Sequence, residues 1–181
     1  QQTGDIAIIS VRGILTVDRS AGYTFDTASS ADITSLIKKA AENPSIKAVI
    51  FDINSPGGSP VATDEIAEEI KKLNKPKVAV IREVGASGAY WIASACDKIY
   101  ANRMSMTGSI GVIASYLDFS GFIERYNVSY ERLVSGRHKD MGSPFRELTD
   151  EEEEIWQESL DRIADIFIEE VAQNRRMPIK D

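Results

Sequence analysis

The chain is poor in the residues that most often carry chemistry. Among 181 residues there is one cysteine, Cys96, and one histidine, His138. A lone cysteine excludes an internal disulfide, and its place in the apolar run "YWIASAC" predicts a small buried side chain. A lone histidine leaves any serine triad with a single imidazole to draw on. No window approaches the ~18 consecutive apolar residues that a membrane-spanning helix needs. Basic blocks are also missing, and the net charge of −7 argues against nucleic acid as a partner. Repeats, low-complexity tracts and long linkers are absent too, so residues 1–181 are expected to form a single domain.

What is present is ordinary for a soluble globular domain: 43% hydrophobic and 27% charged residues, enough for a sizeable core. "DIAIISVRG" alternates apolar residues and reads as a strand ending at Gly13, followed by the polar, Gly/Ser-rich stretch "TVDRSAGYTFDTASS". A helix over "SADITSLIKKAAEN" is expected, with Ser30 as its cap and Pro44 beyond its end. "IKAVIFDI" and "KVAVIRE" are continuous apolar runs, the pattern of strands covered on both faces. Between them "PVATDEIAEEIKKLN" reads as a helix capped by Ser59, with Pro60 at its first position.

Further on, short strands are expected around "DKIYA" and "SIGVIAS", a helix over "FSGFIERY", and a strand over "VSYERLVSG" by its alternation. The last element is a long helix over residues 149–174. Thr149 and Glu152 form its capping box, and Ile155, Trp156, Leu160, Ile163, Phe167 and Val171 recur at helical spacing. The acidic run Glu151–Glu154 is a solvated helix start. Strands alternating with helices make this an α/β domain with a largely parallel sheet, whose chemistry belongs in loops at the carboxyl ends of strands.

Three such loops stand out. In "NSPGGSP" two glycines beside a proline let the backbone turn its N–H groups toward a ligand. The loop is either an oxyanion hole using the Gly58 N–H or a tight turn entering a helix. In "VGASGAYWIASA", Ser87 opens a helix after a strand and a glycine turn, with the Gly88 N–H at the helix start. It is either a nucleophile on an elbow or a plain N-cap. In "SGRHKD", His138 and Lys139 are rival bases, and either can equally be a surface residue. A lysine acts as a base only when neutral, so its pKa must fall from ~10.4 towards ~7, about 4 kcal/mol of differential solvation. Together the three loops can supply a nucleophile, an oxyanion hole and a base.

The order "INSPGGS", "VGASGAYWIASACDKIYAN", "TGSIGVI", "SGRHKDMGSPFRELT" resembles the signal peptide peptidase A family, also called protease IV, from about residue 5 to the end. The resemblance implies a Clp protease/crotonase-like fold of repeated β-β-α units and a serine endopeptidase with a Ser/Lys dyad. Its nucleophile falls on Ser87 and its base on Lys139. The oxyanion donors fall on the N–H of Gly58 and Gly88, and a serine that orients the lysine falls on Ser109, with Thr107 nearby. A hydroxyl suits that last task, since it both donates to and accepts from a neutral amine without adding charge. The one local departure is Ala89, where many relatives carry glycine.

Remnant signal peptides and other peptides are the implied substrates, without metal or cofactor. A homo-oligomer is implied, as is a single-pass anchor in the cell membrane with the catalytic domain on the extracytoplasmic side. The chain starts directly on a strand-like segment and stops on "RRMPIKD" with no closing element. It is therefore expected to be excised from a longer protein with an N-terminal anchor and a further C-terminal part. Two relatives of the fold give alternatives. Clp proteases use Ser-His-Asp with a histidine soon after the nucleophile, and residues 107–115 contain none. Crotonase-type acyl-CoA enzymes share the SPGG-like loop but have no use for a serine paired with a lysine. A non-catalytic scaffold is a third reading, at odds with the intact motifs.

Overall fold

The computed structural model describes residues 4–18 and 26–179. The middle of the polar stretch expected after Gly13, residues 19–25, lies outside the described residues. The chain divides into two compact units, residues 1–111 with 165–181, and residues 112–164.

The first unit is built on a parallel sheet. Its strands are β1 (Ile6–Arg12), β4 (Ala48–Ser55), β5 (Lys77–Ala86) and β6 (Lys98–Ala101), in that spatial order, with β7 (Met106–Gly108) also pairing β5. The short strands β2 (Ile14–Thr16) and β3 (Thr27–Ser29) pair with each other, again in parallel. Parallel neighbours need crossovers, and here helices supply them: α1 (Ser30–Glu42), α2 (Pro60–Lys72) and α3 (Gly88–Ser94). The register aligns Ile9, Phe51 and Ala79 in one row and Val11, Ile53 and Ile81 in the next, all buried on the same face. Ile33 and Ile37 of α1, Ile66 and Ile70 of α2 and Trp91 and Ile92 of α3 belong to the same buried cluster.

The opposite face is only half covered. Ile6 and Ile8 on β1 are exposed, and Ala48, Ile50, Asp52 and Asn54 on β4 are intermediate. The two apolar runs are therefore not strands buried on both faces. They carry one dry face and one partly wet one, a distinction that apolar side chains on both faces conceal.

The helix caps follow the sequence closely, with one shift. Ser59 accepts the Ala62 N–H at 3.3 Å, and Pro60 fills the first helical position. At α1 the cap is Ser29 and not Ser30. The Ser29 hydroxyl accepts the Asp32 N–H at 3.3 Å, while the Ser30 hydroxyl donates to Glu65 at 2.5 Å and to the Val17 carbonyl. Two adjacent serines can each cap, and the tertiary partner of Ser30 decides between them.

The second unit contains α4 (Ser120–Arg125) and the first part of α5 (Asp150–Arg175), whose later residues belong to the first unit. The capping box forms as expected: the Glu152 N–H donates to Thr149 Oγ1 and the Thr149 N–H to the Glu152 carboxylate. Phe167 stacks on Trp91 with ring centroids 5.0 Å apart, and Val171 is buried. Two expected strands are missing. Residues 109–115 are irregular, because Gly108 and Ser109 take successive positive φ values of 83° and 56° and end the ladder at β7. Residues 128–136 are exposed throughout and pair with no described strand. Their alternation had no covering layer to bury against, and a strand without a ladder partner leaves its backbone groups unpaired. Among the described residues no helix is long and apolar enough to cross a membrane.

Candidate active site

At the carboxyl end of β4 the chain enters "NSPGGSP" and is tied down within a few residues. The Ser55 side chain is fully buried, and its Oγ accepts the Gly57 N–H at 3.1 Å. Gly57 has φ +98°, and a Cβ there would lie 2.9 Å from both the Gly88 nitrogen and Ser87 Cβ. Only a glycine lets the loop run this close to the GASG turn. Leu15 then holds the loop from the other side. The Leu15 N–H donates to the Gly57 carbonyl at 2.9 Å, and the Ser59 N–H donates to the Leu15 carbonyl at 2.9 Å. Those two bonds bracket Gly58, so its own N–H is turned away from Leu15 and meets no acceptor among the described residues.

Asn54, one residue earlier, reaches across to β5. Between Ile81 and Gly85 β5 carries two more residues than β4 offers partners. The Glu83 and Val84 N–H groups released by that bulge donate to Asn54 Oδ1 at 3.2 and 3.1 Å. After the bulge β5 changes neighbours, pairing with β6 over Val78–Ile81 and with β7 over Val84–Ala86. One asparagine thus fixes how β5 arrives at the turn that follows.

That turn is Ser87. Its φ of 52° and ψ of −130° are near the values of the first central residue of a type II′ turn, a place that normally takes glycine. A non-glycine residue held there costs about 1–3 kcal/mol, and such strain gathers at functional sites. Several contacts hold it. The Ser87 N–H donates to the Gly108 carbonyl at 2.8 Å, and its carbonyl accepts from the Tyr90 and Trp91 N–H groups at 2.8 and 3.1 Å. The side chain makes no capping hydrogen bond. Ser87 starts α3 with its backbone alone, and its half-buried Oγ is left without a protein partner among the described residues. The plain N-cap reading is not what the structure displays.

Gly88 follows at the first helical position, where the N–H has no intrahelical acceptor. A Cβ on Gly88 would fall 2.2 Å from Thr63 Oγ1, so α2 and α3 can approach only over a glycine. Through the Ser87–Gly108 bond, β7 delivers Ser109 next to the same turn, with φ +56° and an exposed side chain. Ser87, Gly88, Gly58 and the backbone before Ser109 therefore meet within the first unit.

Lys139 and His138 belong to the second unit. Their loop follows no strand, in contrast to the expectation. Lys139 is exposed, with its N–H on the Gly136 carbonyl at 3.3 Å and no ion pair for its ammonium among the described residues. His138 is turned to the start of α5, with Nε2 3.5 Å from Glu151 and Nδ1 3.8 Å from Glu152. Around them lies an ionic knot that sequence reasoning missed, as it missed Asn54, Ser55 and Gly57. Arg132 and Arg146 both bind Asp140, and Arg146 also binds Glu152. The spacing of "RHKDMGSPFRELTDEE" was a signal for it, with alternating charges flanking a capping box. Among the described residues no group of three or more His, Cys, Asp or Glu side chains is arranged to hold a metal ion.

A strained serine whose hydroxyl, like the two glycine N–H groups beside it, has no partner among the described residues can attack a carbonyl and receive the resulting oxyanion. Comparison with known proteins bears on which chemistry that is. The profile of peptidase family S49 matches residues 69–181. A protein of Enterococcus faecium that carries a signal peptide peptidase SppA name is 36% identical over 95% of this chain and 51% of its own length. The chloroplastic serine protease SPPA of Arabidopsis thaliana is 33% identical over 96% of this chain and 26% of its own. The chain thus spans about half the length of the first of these relatives and about a quarter of the second. Among solved structures, a mutant ClpP1 from Listeria monocytogenes superposes with a TM-score of 0.59 at 13% identity, covering 96% of this chain and 75% of that one. The fold is accordingly that of the Clp proteases, and by sequence the chain belongs to peptidase family S49.

Proposed function

We propose that this chain is the catalytic domain of a serine endopeptidase that works with a Ser87/Lys139 dyad. The observation that carries the proposal is Ser87 itself: a serine in a glycine-type backbone conformation, with no capping bond, beside the unengaged N–H groups of Gly58 and Gly88. Neutral Lys139 takes the proton from Ser87 Oγ, and the oxygen attacks the peptide carbonyl carbon. The Gly58 and Gly88 N–H groups donate to the tetrahedral oxyanion. The C–N bond breaks as Lys139 returns its proton to the leaving amine. Water, deprotonated by Lys139, then attacks the acyl-serine; the ester C–O bond breaks, the acid leaves, and Lys139 returns the proton to Ser87 Oγ. Ser109 orients the amine through its hydroxyl. The crotonase-type alternative gives the strained serine no task, and membership of family S49 speaks against it.

Remnant signal peptides held in the membrane are the proposed substrates, by likeness to the relatives named for that activity. The working form is proposed to be a homo-oligomer on the extracytoplasmic side of the cell membrane, anchored by a single-pass segment outside this chain. The decisive experiment is labelling with a serine-directed fluorophosphonate, with mass-spectrometric mapping of the adduct. Ser87 is expected to carry the label in the parent protein, with Ser87→Ala unlabelled and Lys139→Ala labelled far more slowly, both still folded. His138→Ala is expected to label at nearly the parental rate. A label on another serine, or full reactivity of Lys139→Ala, would remove the dyad.

A further inference from the structure

The segment that carries Lys139 has no helix or strand from Asn127 to Thr149, yet it is not loosely held. Arg132 Nε and Nη2 donate to the two oxygens of Asp140 at 2.5 and 2.7 Å. Arg146 donates to the same carboxylate at 3.1 Å through both Nε and Nη2, and to the Asp140 carbonyl at 3.3 Å. It also donates to the Glu152 carboxylate at 2.6 and 2.7 Å and to the Glu147 carbonyl at 2.9 Å. The Glu152 side chain is only 3% exposed, and it accepts the Thr149 N–H in the capping box besides. Two guanidinium groups and two carboxylates thus close a charge-balanced knot between residue 140 and the first turn of α5. Planar, bidentate pairing of this kind fixes orientation as well as distance.

We infer that Arg146 is a positioning residue: it clamps Asp140 to Glu152 and so holds the neighbouring Lys139 in a fixed place for its role in the proposed dyad, on which this inference rests. The other side-chain ties from this stretch to α5 are more exposed: Arg137 pairs with Glu151, at 76% and 44% exposure, and His138 lies 3.5 Å from the same carboxylate, whereas the Arg146–Glu152 pair is 19% and 3% exposed. The backbone bonds at Lys139, Met141 and Ser143 are local turns to Gly136, His138 and Asp140. A side-chain knot does here what ladder and helix bonds do around Ser87. It adds no charge to the site, since the knot's two positive and two negative groups cancel.

The test combines three readouts on the full chain. The fluorophosphonate labelling rate constant, and not the labelled amplitude, is measured for Arg146→Met, Lys139→Ala and the double variant. Hydrogen exchange is followed over residues 136–147. Arg146→Met is expected to lower the rate constant at least tenfold and to speed exchange in that segment. The double variant is expected to be no slower than Lys139→Ala alone, because both changes remove the same contribution. Glu152→Gln preserves the capping box and weakens the Arg146 pair, and with it the 3.8 Å approach of His138, so it serves as a milder variant with a smaller loss in the same direction. A parental rate constant in Arg146→Met, with Lys139→Ala strongly slowed, overturns the positioning role and leaves the dyad standing. Strictly multiplicative losses, or unchanged exchange, overturn it as well. Full activity of Lys139→Ala overturns the dyad and the positioning role together.

Discussion

Substituting Gly57 by alanine places one methyl group against the candidate nucleophile without touching it chemically. The added Cβ would sit 2.9 Å from Ser87 Cβ, 2.9 Å from the Gly88 nitrogen and 3.1 Å from the Ala86 carbonyl oxygen. Carbon–carbon contacts relax to about 3.5–4.0 Å, so the two loops must part by roughly 0.6–1 Å. Neither loop has slack. Gly57 is bonded to Ser55 Oγ and to Leu15, and Ser87 is bonded to Gly108 and to the first turn of α3. A displacement near 1 Å at a reacting group costs about 10²-fold in rate. The movement also separates the Gly58 and Gly88 donors, and losing one oxyanion donor costs about 10²–10³-fold.

The backbone adds a second effect. Gly57 has φ +98°, where alanine is strained by about 1–3 kcal/mol. For a chain of this length that lowers Tm by roughly 2–12 °C. The assay is the rate constant of fluorophosphonate labelling, taken well below the variant's Tm so that the folded population is saturated. A loss of at least 30-fold is expected. A lower Tm with a rate constant within threefold of the parent would refute the reasoning, since the loops would have parted without consequence for Ser87.

Further outcomes follow from other contacts. Ser87→Gly and Ser87→Ala both delete the hydroxyl, but only glycine suits φ 52° and ψ −130°, so the glycine variant is expected to be about 1 kcal/mol more stable in denaturant unfolding. Asn54→Ala strips the acceptor from the Glu83 and Val84 N–H groups and is expected to lower stability by about 1–3 kcal/mol and to slow labelling together. Burial pushes the Cys96 thiol up to about 12 from an ordinary 9.0, so a thiol reagent at pH 8 should react only after unfolding. Arg146 holds the Glu152 carboxyl at about 2, below its ordinary 4.5, and Arg132 with Arg146 holds Asp140 low as well. The unfolded chain binds those protons more readily, so the knot's contribution is complete above about pH 4.5 and is lost as pH falls toward 2. Near-ultraviolet circular dichroism, which senses Trp156 in the same unit, should report that loss, and Glu152→Gln should blunt it.

Much of this architecture was legible because it follows from local rules. Alternating βα segments gave the parallel sheet, and Ser59–Pro60 and Thr149–Glu152 announced their helix starts in the residues themselves. Each of the three loops was ambiguous by itself, and they pointed to a candidate site only together and through the order of their motifs in one peptidase family. What escaped was tertiary. Asn54 looks like any loop asparagine until the bulge in β5 brings two N–H groups to it. Gly57 looks like its neighbour Gly58 until Ser87 lies against it. Residues 128–136 alternate as a strand does, but alternation names a face and not a partner. The knot escaped because arginines at 132 and 146 converge on Asp140 only after the loop between them has folded.

In the proposed dyad, the strain at Ser87 and the ion pairs beside Lys139 are complementary solutions to one requirement. A nucleophile must stand in one place while remaining unbonded through its own side chain, so its backbone must carry all the restraint. Around Ser87 that restraint comes from Gly108, Tyr90, Trp91 and the close passage of Gly57, none of which engages the hydroxyl. A base on a long flexible side chain faces the same requirement with a different tool. Fixing a lysine by an ion pair of its own would hold it protonated and useless for taking a proton. The sequence instead places the ion pairs one residue away, on Asp140, and leaves the Lys139 amine unpaired among the described residues. Under the proposed mechanism, strain at the serine and charge pairing beside the lysine therefore serve the same end, which is a reactive group held by its neighbours and not by itself.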